Sequence, residues 1–162
     1  MKSEHILWAS DKIQMGAENP GAIIPREELV NTAYHEGGHA LVALSTKGCM
    51  PIHKGTILAR GQSLGHVAYL PKDDMTSWTR EQMLAYLDVC MGGRVAEELI
   101  FGHDNVTTGA SSDLQQATNF ATAMVMEFGM SEKVGPVHYA SVHTEDISPR
   151  TQLLIDQEIK LL

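Results

Sequence analysis

The run Thr32-Ala33-Tyr34-His35-Glu36-Gly37-Gly38-His39-Ala40 carries an H-E-x-x-H pattern, and its reading decides the fold. Successive residues of an α-helix turn by about 100°, so histidines four apart stand about 40° apart around the axis. His35 and His39 then project from one face, one turn apart, and both imidazoles can reach a single metal ion. Glu36 follows the first histidine and can reach a water on that metal without binding it, where amide hydrolysis needs a general base. The competing account is a helix with two surface histidines. Leu29, Ala33, Ala40, Leu41 and Leu44 argue against it, because they predict an apolar stripe and a partly buried helix. Buried polar side chains need partners.

Working outward, Pro25 suits a first helical turn, and Glu27 and Glu28 suit the positive end of the helix dipole. The helix is expected over 25–45, stopping near Gly48. Gly37 and Gly38 inside it each cost about 1 kcal/mol relative to alanine, which predicts close approach of another backbone or of substrate. Upstream, 1–24 reads as a short helix (Ile6, Leu7, Trp8 and Ile13 at helical spacing) and a linker with Pro20. Downstream, 56–59 and 66–70 read as two short strands joined through Arg60 to Gly65, with Pro51 and Pro71 at the margins. A second long helix is expected over 79–101, with Thr79 and Gln82 as a capping box. Its buried face is Met83, Leu84, Leu87, Met91, Val95 and Leu99. Asp88, Arg94, Glu97 and Glu98 read as its solvated charges. The polar loop 107–113 leads to a third helix, with Ser112 and Gln115 as capping box, Leu114, Ala117, Ala121, Met124, Val125 and Phe128 as apolar stripe, and Gly129 as its end. A strand over 137–140 and a last helix from Pro149 to the end of the chain follow. The fold class is mainly α (α+β), with a small β-hairpin beside the helix that carries the motif.

The 162 residues suit one domain, and a formal net charge of −8 argues against a nucleic-acid partner. No run approaches the 18 apolar residues of a membrane span, so the chain itself is expected to make no membrane contact. Cys49 and Cys90 read as free thiols. Asn105-Val106-Thr107 is a sequon to which nothing in the sequence gives weight.

A catalytic zinc site usually has three protein ligands and one open position. The third ligand must come from outside the motif. Asp113 sits in the first turn of its helix, whose positive dipole end keeps a carboxylate ionised. Glu97 is its main rival; Glu98, Asp104 and the remaining histidines are weaker candidates.

With these residues in hand, the chain resembles the peptidase domain of the FtsH-type ATP-dependent AAA zinc metalloproteases (peptidase family M41), most of all their mitochondrial inner-membrane branch. The resemblance rests on the motif itself, on Leu64-Gly65-His66-Val67, on the run from Met91 to Gly102, on Thr107-Thr108-Gly109-Ala110-Ser111-Ser112-Asp113-Leu114, and on Phe128-Gly129-Met130-Ser131. It implies one Zn2+ per chain held by His35, His39 and Asp113, with Glu36 catalytic. It implies that Gly65, His66, Val67, Ala68 and Tyr69 bind an extended substrate, and that 25–162 form the peptidase domain. It also implies a homo-hexamer fed with unfolded polypeptide by an ATPase ring, at the mitochondrial inner membrane and facing the intermembrane space. No G-x-x-x-x-G-K-[ST] occurs, so ATP is expected to act only through an ATPase module outside this chain, and the family's final helices are expected beyond it. Gly37 departs from the family's usual alanine. The rival from another class is a non-catalytic, zinc-stabilised module for hexamer assembly or partner docking. Glu36 discriminates the two, since a structural site has no use for it.

Overall fold

The computed structural model describes residues 3–19, 21–60, 63–70 and 76–162. Pro20, Gly61, Gln62 and Pro71 lie outside the described residues, as does the side chain of Leu7. Among the described residues, five α-helices and one hairpin follow in order: α1 (Ser3–Met15), α2 (Arg26–Ser45), β1 (Ile52–Thr56), β2 (His66–Tyr69), α3 (Arg80–Phe101), α4 (Ser111–Met126) and α5 (Pro149–Leu161). The architecture is mainly helical with a two-stranded antiparallel sheet, as the periodicity predicts.

α2 and α3 pack antiparallel: Tyr34 stacks edge-on against Phe101 at one end, and Gly48 lies against Glu81 at the other. Midway, Gly38 meets Gly92 backbone to backbone. A Cβ on Gly38 would overlap the Gly92 carbonyl, and a Cβ on Gly92 would lie 2.9 Å from the Gly38 carbonyl oxygen. The expected close approach therefore occurs at Gly38. Gly37 has nothing within 4 Å of its Cβ position, so its own cost has no counterpart in the fold.

The apolar core lies one layer further, where Met83 and Leu87 of α3 meet Ala121 and Met124 of α4, bordered by Trp78, Phe120 and Ile159. The Thr79–Gln82 capping box opens α3 as expected. Ser148 caps α5, whose Glu158 accepts hydrogen bonds from Ser131 Oγ (2.8 Å) and Lys133 Nζ (2.7 Å).

Several expectations are corrected. The predicted stripe of α2 does not face inward: Leu41 is 67% and Leu44 76% exposed, while His39 and Ala43 are buried. The helix turns its motif face towards α3, which leaves the aliphatic side outside. On α3, Met83 and Leu87 are buried, but Met91, Val95 and Leu99 are exposed. In that half the inward positions go to Gly92, Gly93 and Glu97, which face α2. Glu97, read as a solvated charge, is only 2% exposed.

The first strand spans Ile52–Thr56 rather than 56–59, with a bulge between Ile52 and Lys54. It ends where Thr56 Oγ1 accepts the Leu58 amide and forms a turn. α4 begins at Ser111 without a side-chain cap, because a 3-10 turn over Thr108–Ala110 runs straight into it. Residues 137–140 form no strand; the amides of Tyr139 and Ala140 both donate to the Met126 carbonyl.

Candidate metal centre

α2 supplies His35 and His39 one turn apart, with ring centroids separated by 4.7 Å. α4 supplies Asp113 from its first turn. The three donor atoms converge: His35 Nε2 to His39 Nε2 is 3.0 Å, His35 Nε2 to Asp113 Oδ2 is 3.2 Å, and His39 Nε2 to Asp113 Oδ2 is 3.6 Å. Donors placed 2.0–2.1 Å from one tetrahedral zinc ion stand about 3.3 Å apart. The observed spacings bracket that value. Among the described residues, this is the one cluster of three such groups with metal-ligand spacing.

The far side of each imidazole is already committed. His35 Nδ1 donates to Glu97 Oε1 at 2.7 Å, and His39 Nδ1 donates to the Val89 carbonyl at 2.6 Å. Both partners are acceptors only, so in the neutral rings the proton sits on Nδ1 and the Nε2 lone pairs face each other. Two lone pairs and a carboxylate oxygen pointed at one spot call for a cation. Gly93 leaves the room: a Cβ there would lie 2.6 Å from both Nε2 atoms.

The charges agree. Burial pulls the His35 pKa down, but hydrogen bonds to Asp113 and Glu97 outweigh it and leave it raised. Burial likewise opposes His39, and Asp113 with the Val89 carbonyl raises it. Burial alone would raise Asp113, yet the two histidines hold its carboxyl well below the usual carboxylate range. Asp113 is therefore ionised at any working pH.

Glu36 is half-buried beside the cluster, with its pKa raised by burial against the opposing pull of His39 and His35. Gly65 packs directly on it; a Cβ at that position would lie 2.7 Å from Glu36 Cγ and 2.8 Å from Oε1. β2 begins at the next residue, so the strand starts at the glutamate. Val67 and Ala68 are buried, His66 is exposed and Tyr69 is half-buried. β2 pairs with β1 from Tyr69 opposite Ile52 to His66 opposite Thr56, and with no other strand among the described residues.

Glu97 does not join the three converging atoms. Its Oε1 accepts from His35, and its Oε2 accepts from the Thr107 amide (2.7 Å) and hydroxyl (3.0 Å). His103 pairs with Glu98, His53 with Asp11, and His138 with the Glu127 carbonyl, all away from the centre. No site role follows from the sequence for Gly93, the Val89 carbonyl or Thr107. One signal pointed to the first: glycine pairs, 37–38 and 92–93, interrupt both long helices, as a backbone crossing requires.

A glycine-lined helix crossing, an H-E-x-x-H on one helix and a carboxylate delivered from another define a domain of the metallopeptidase class. The sequence model of peptidase family M41 matches residues 22–162, and the chain belongs to that family. It is 54% identical to the ATP-dependent zinc metalloprotease FTSH 11, chloroplastic/mitochondrial, of Arabidopsis thaliana, over 100% of this chain and 20% of that protein. It is 54% identical to the ATP-dependent zinc metalloprotease YME1L1 of Homo sapiens over 98% of this chain and 20% of that protein. The YME1 homolog of Schizosaccharomyces pombe is 53% identical over 96% of this chain and 22% of its own length. The chain thus spans about a fifth of the length of these relatives. No helix among its described residues is long and apolar enough to cross a membrane.

Proposed function

We propose that this chain is the peptidase unit, over 25–162, of an ATP-dependent zinc metalloendopeptidase, with one Zn2+ held by His35, His39 and Asp113. The observation that carries the reading is the convergence of His35 Nε2, His39 Nε2 and Asp113 Oδ2 at 3.0–3.6 Å, while both Nδ1 atoms are engaged elsewhere. A bound zinc ion would supply Lewis acidity at an open fourth position, as catalytic zinc does in other peptidases.

The chain's own part falls to Glu36. Its carboxylate takes a proton from the attacking water and returns it to the leaving amine. Burial beside Gly65 favours this cycle, because a glutamate with a raised pKa holds the proton better between the two transfers. The substrate lies extended along β2, from Gly65 through His66, Val67, Ala68 and Tyr69, adding a strand by main-chain hydrogen bonds. Unfolded polypeptide is the substrate class, delivered by an ATPase ring of the full-length homo-hexamer. The Arabidopsis relative, named chloroplastic/mitochondrial, supports an organellar location, and the site is placed at the mitochondrial inner membrane, on the intermembrane-space side, as part of this proposal.

Elemental analysis of the wild type, Asp113→Ala and Glu36→Gln tests the centre, together with cleavage of an unfolded polypeptide. One zinc in the wild type, loss of zinc from Asp113→Ala, and full zinc with no cleavage in Glu36→Gln are expected. Zinc retained by a folded Asp113→Ala moves the third ligand elsewhere. Cleavage surviving in Glu36→Gln removes the general-base role.

A further inference from the structure

Thr107 stands between two elements that both reach the metal centre, and neither packing nor capping alone explains its contacts. Its hydroxyl donates to Glu97 Oε2 at 3.0 Å and accepts from the Gly109 amide at 3.2 Å, while its own amide donates to the same Glu97 oxygen at 2.7 Å. A hydroxyl has one proton to give and lone pairs to accept with, so all of these bonds coexist. On one side, Glu97 is almost completely buried and orients His35 through Nδ1. On the other, Gly109 lies within the 3-10 turn that runs into α4, and Asp113 follows in the first turn of that helix. Ala110, 1% exposed, anchors the turn.

The contacts form a closed circuit. It runs from His35 to Glu97, to Thr107, along the chain to Asp113, and back to His35 through the 3.2 Å approach of Nε2 and Oδ2. We propose that Thr107 is a positioning residue that sets Asp113 in register with His35 by tying the Glu97 carboxylate to the start of α4. The proposal rests on the zinc site described above and adds a residue that touches no ligand atom. Its physical basis is general: groups behind the ligands fix ring orientation and basicity, and losing one typically costs 10–100-fold in metal affinity.

Chelator competition for zinc on the wild type, Thr107→Val and Thr107→Ser tests it. Valine keeps the shape and the amide bond but removes the hydroxyl; serine restores the hydroxyl. The expected result is affinity at least about tenfold weaker in Thr107→Val and within about threefold of wild type in Thr107→Ser. The visible spectrum of the cobalt(II)-substituted protein should change in the valine variant alone, a signature that simple loss of stability does not produce. Should valine not fold, Thr107→Ala removes the same hydroxyl and carries the same expectation. Wild-type affinity and an unchanged cobalt spectrum in the hydroxyl-free variant overturn the proposal and leave the zinc site standing. Failure of the wild type to bind zinc overturns the reading beneath it.

Discussion

α2 and α4 both contribute to the metal centre, yet they are held in opposite ways. α4 is amphipathic over most of its length, burying Ala121, Met124 and Val125, but Leu114 at its start and Phe128 just beyond its end, both expected in the apolar stripe, are exposed. α2 buries His39 and Ala43 and leaves Val30, Tyr34, Leu41 and Leu44 exposed. α4 is secured by apolar area. α2 is secured by a close backbone crossing at Gly38 and by hydrogen bonds that satisfy each inward histidine. A helix can therefore be sited by its least hydrophobic face when its inward histidines have partners, even though Asn31 Oδ1, one turn before His35, is buried without a hydrogen-bond partner.

The contrast is broken most severely at the crossing. Gly38→Val places a side chain where the Gly92 carbonyl and Ala96 already stand, and backbone cannot yield as a flexible side chain does. The expected loss exceeds about 5 kcal/mol, seen as no cooperative thermal transition. In α4, Met124→Ala should cost about 2–5 kcal/mol in urea unfolding while zinc affinity stays within about twofold of wild type. A parallel fall in zinc affinity would show that the two supports are not separable.

Acidity should separate the folded scaffold from the metal it takes up. His35 and His39 have raised pKa values, so in the metal-free protein they keep their protons above the ordinary value of 6.5. Zinc needs both rings neutral, so its affinity should fall as pH drops through those raised values, by up to about tenfold per pH unit for each proton displaced. The metal-free fold should respond the other way. Its gain from charging these histidines is complete below 6.5 and lost as pH rises through the folded values. Melting of metal-free protein and chelator competition across pH 5–9 should give slopes of opposite sign.

The smallest effects sharpen the comparison on α2 itself. Gly37→Ala meets nothing within 4 Å and should stabilise by up to about 1 kcal/mol, the reverse of its neighbour. Leu41→Gln, on the exposed side, should shift stability by less than about 0.5 kcal/mol.

Much of this was legible in the sequence. The three long central helices, the Thr79–Gln82 capping box and the approach of His35, Glu36, His39 and Asp113 follow from spacing and from the resemblance to a known family. The inward face of α2 was not legible, because hydrophobic periodicity assumes that apolar side chains go inside, and here the motif outranks Leu41 and Leu44. The displacement of β1 comes from a bulge and a turn at Thr56, neither of which has a strong sequence mark. Glu97 was misread as solvated for a similar reason. A carboxylate beside charged neighbours on a helix looks like surface until the partner from α2, sixty-two positions away in the chain, is in view.

The Gly38–Gly92 contact also has the geometry of a fulcrum. Were α2 to tilt on α3 about that contact, its displacement would grow with distance from that point. A rotation of about 10° carries the start of α2 through about 3 Å, since it lies about 18 Å away along the axis, but moves His39 by only about 0.3 Å. Motion imposed at the far end of α2 is thus geared down before it arrives at the metal centre, which sits beside the one place on the beam that barely travels.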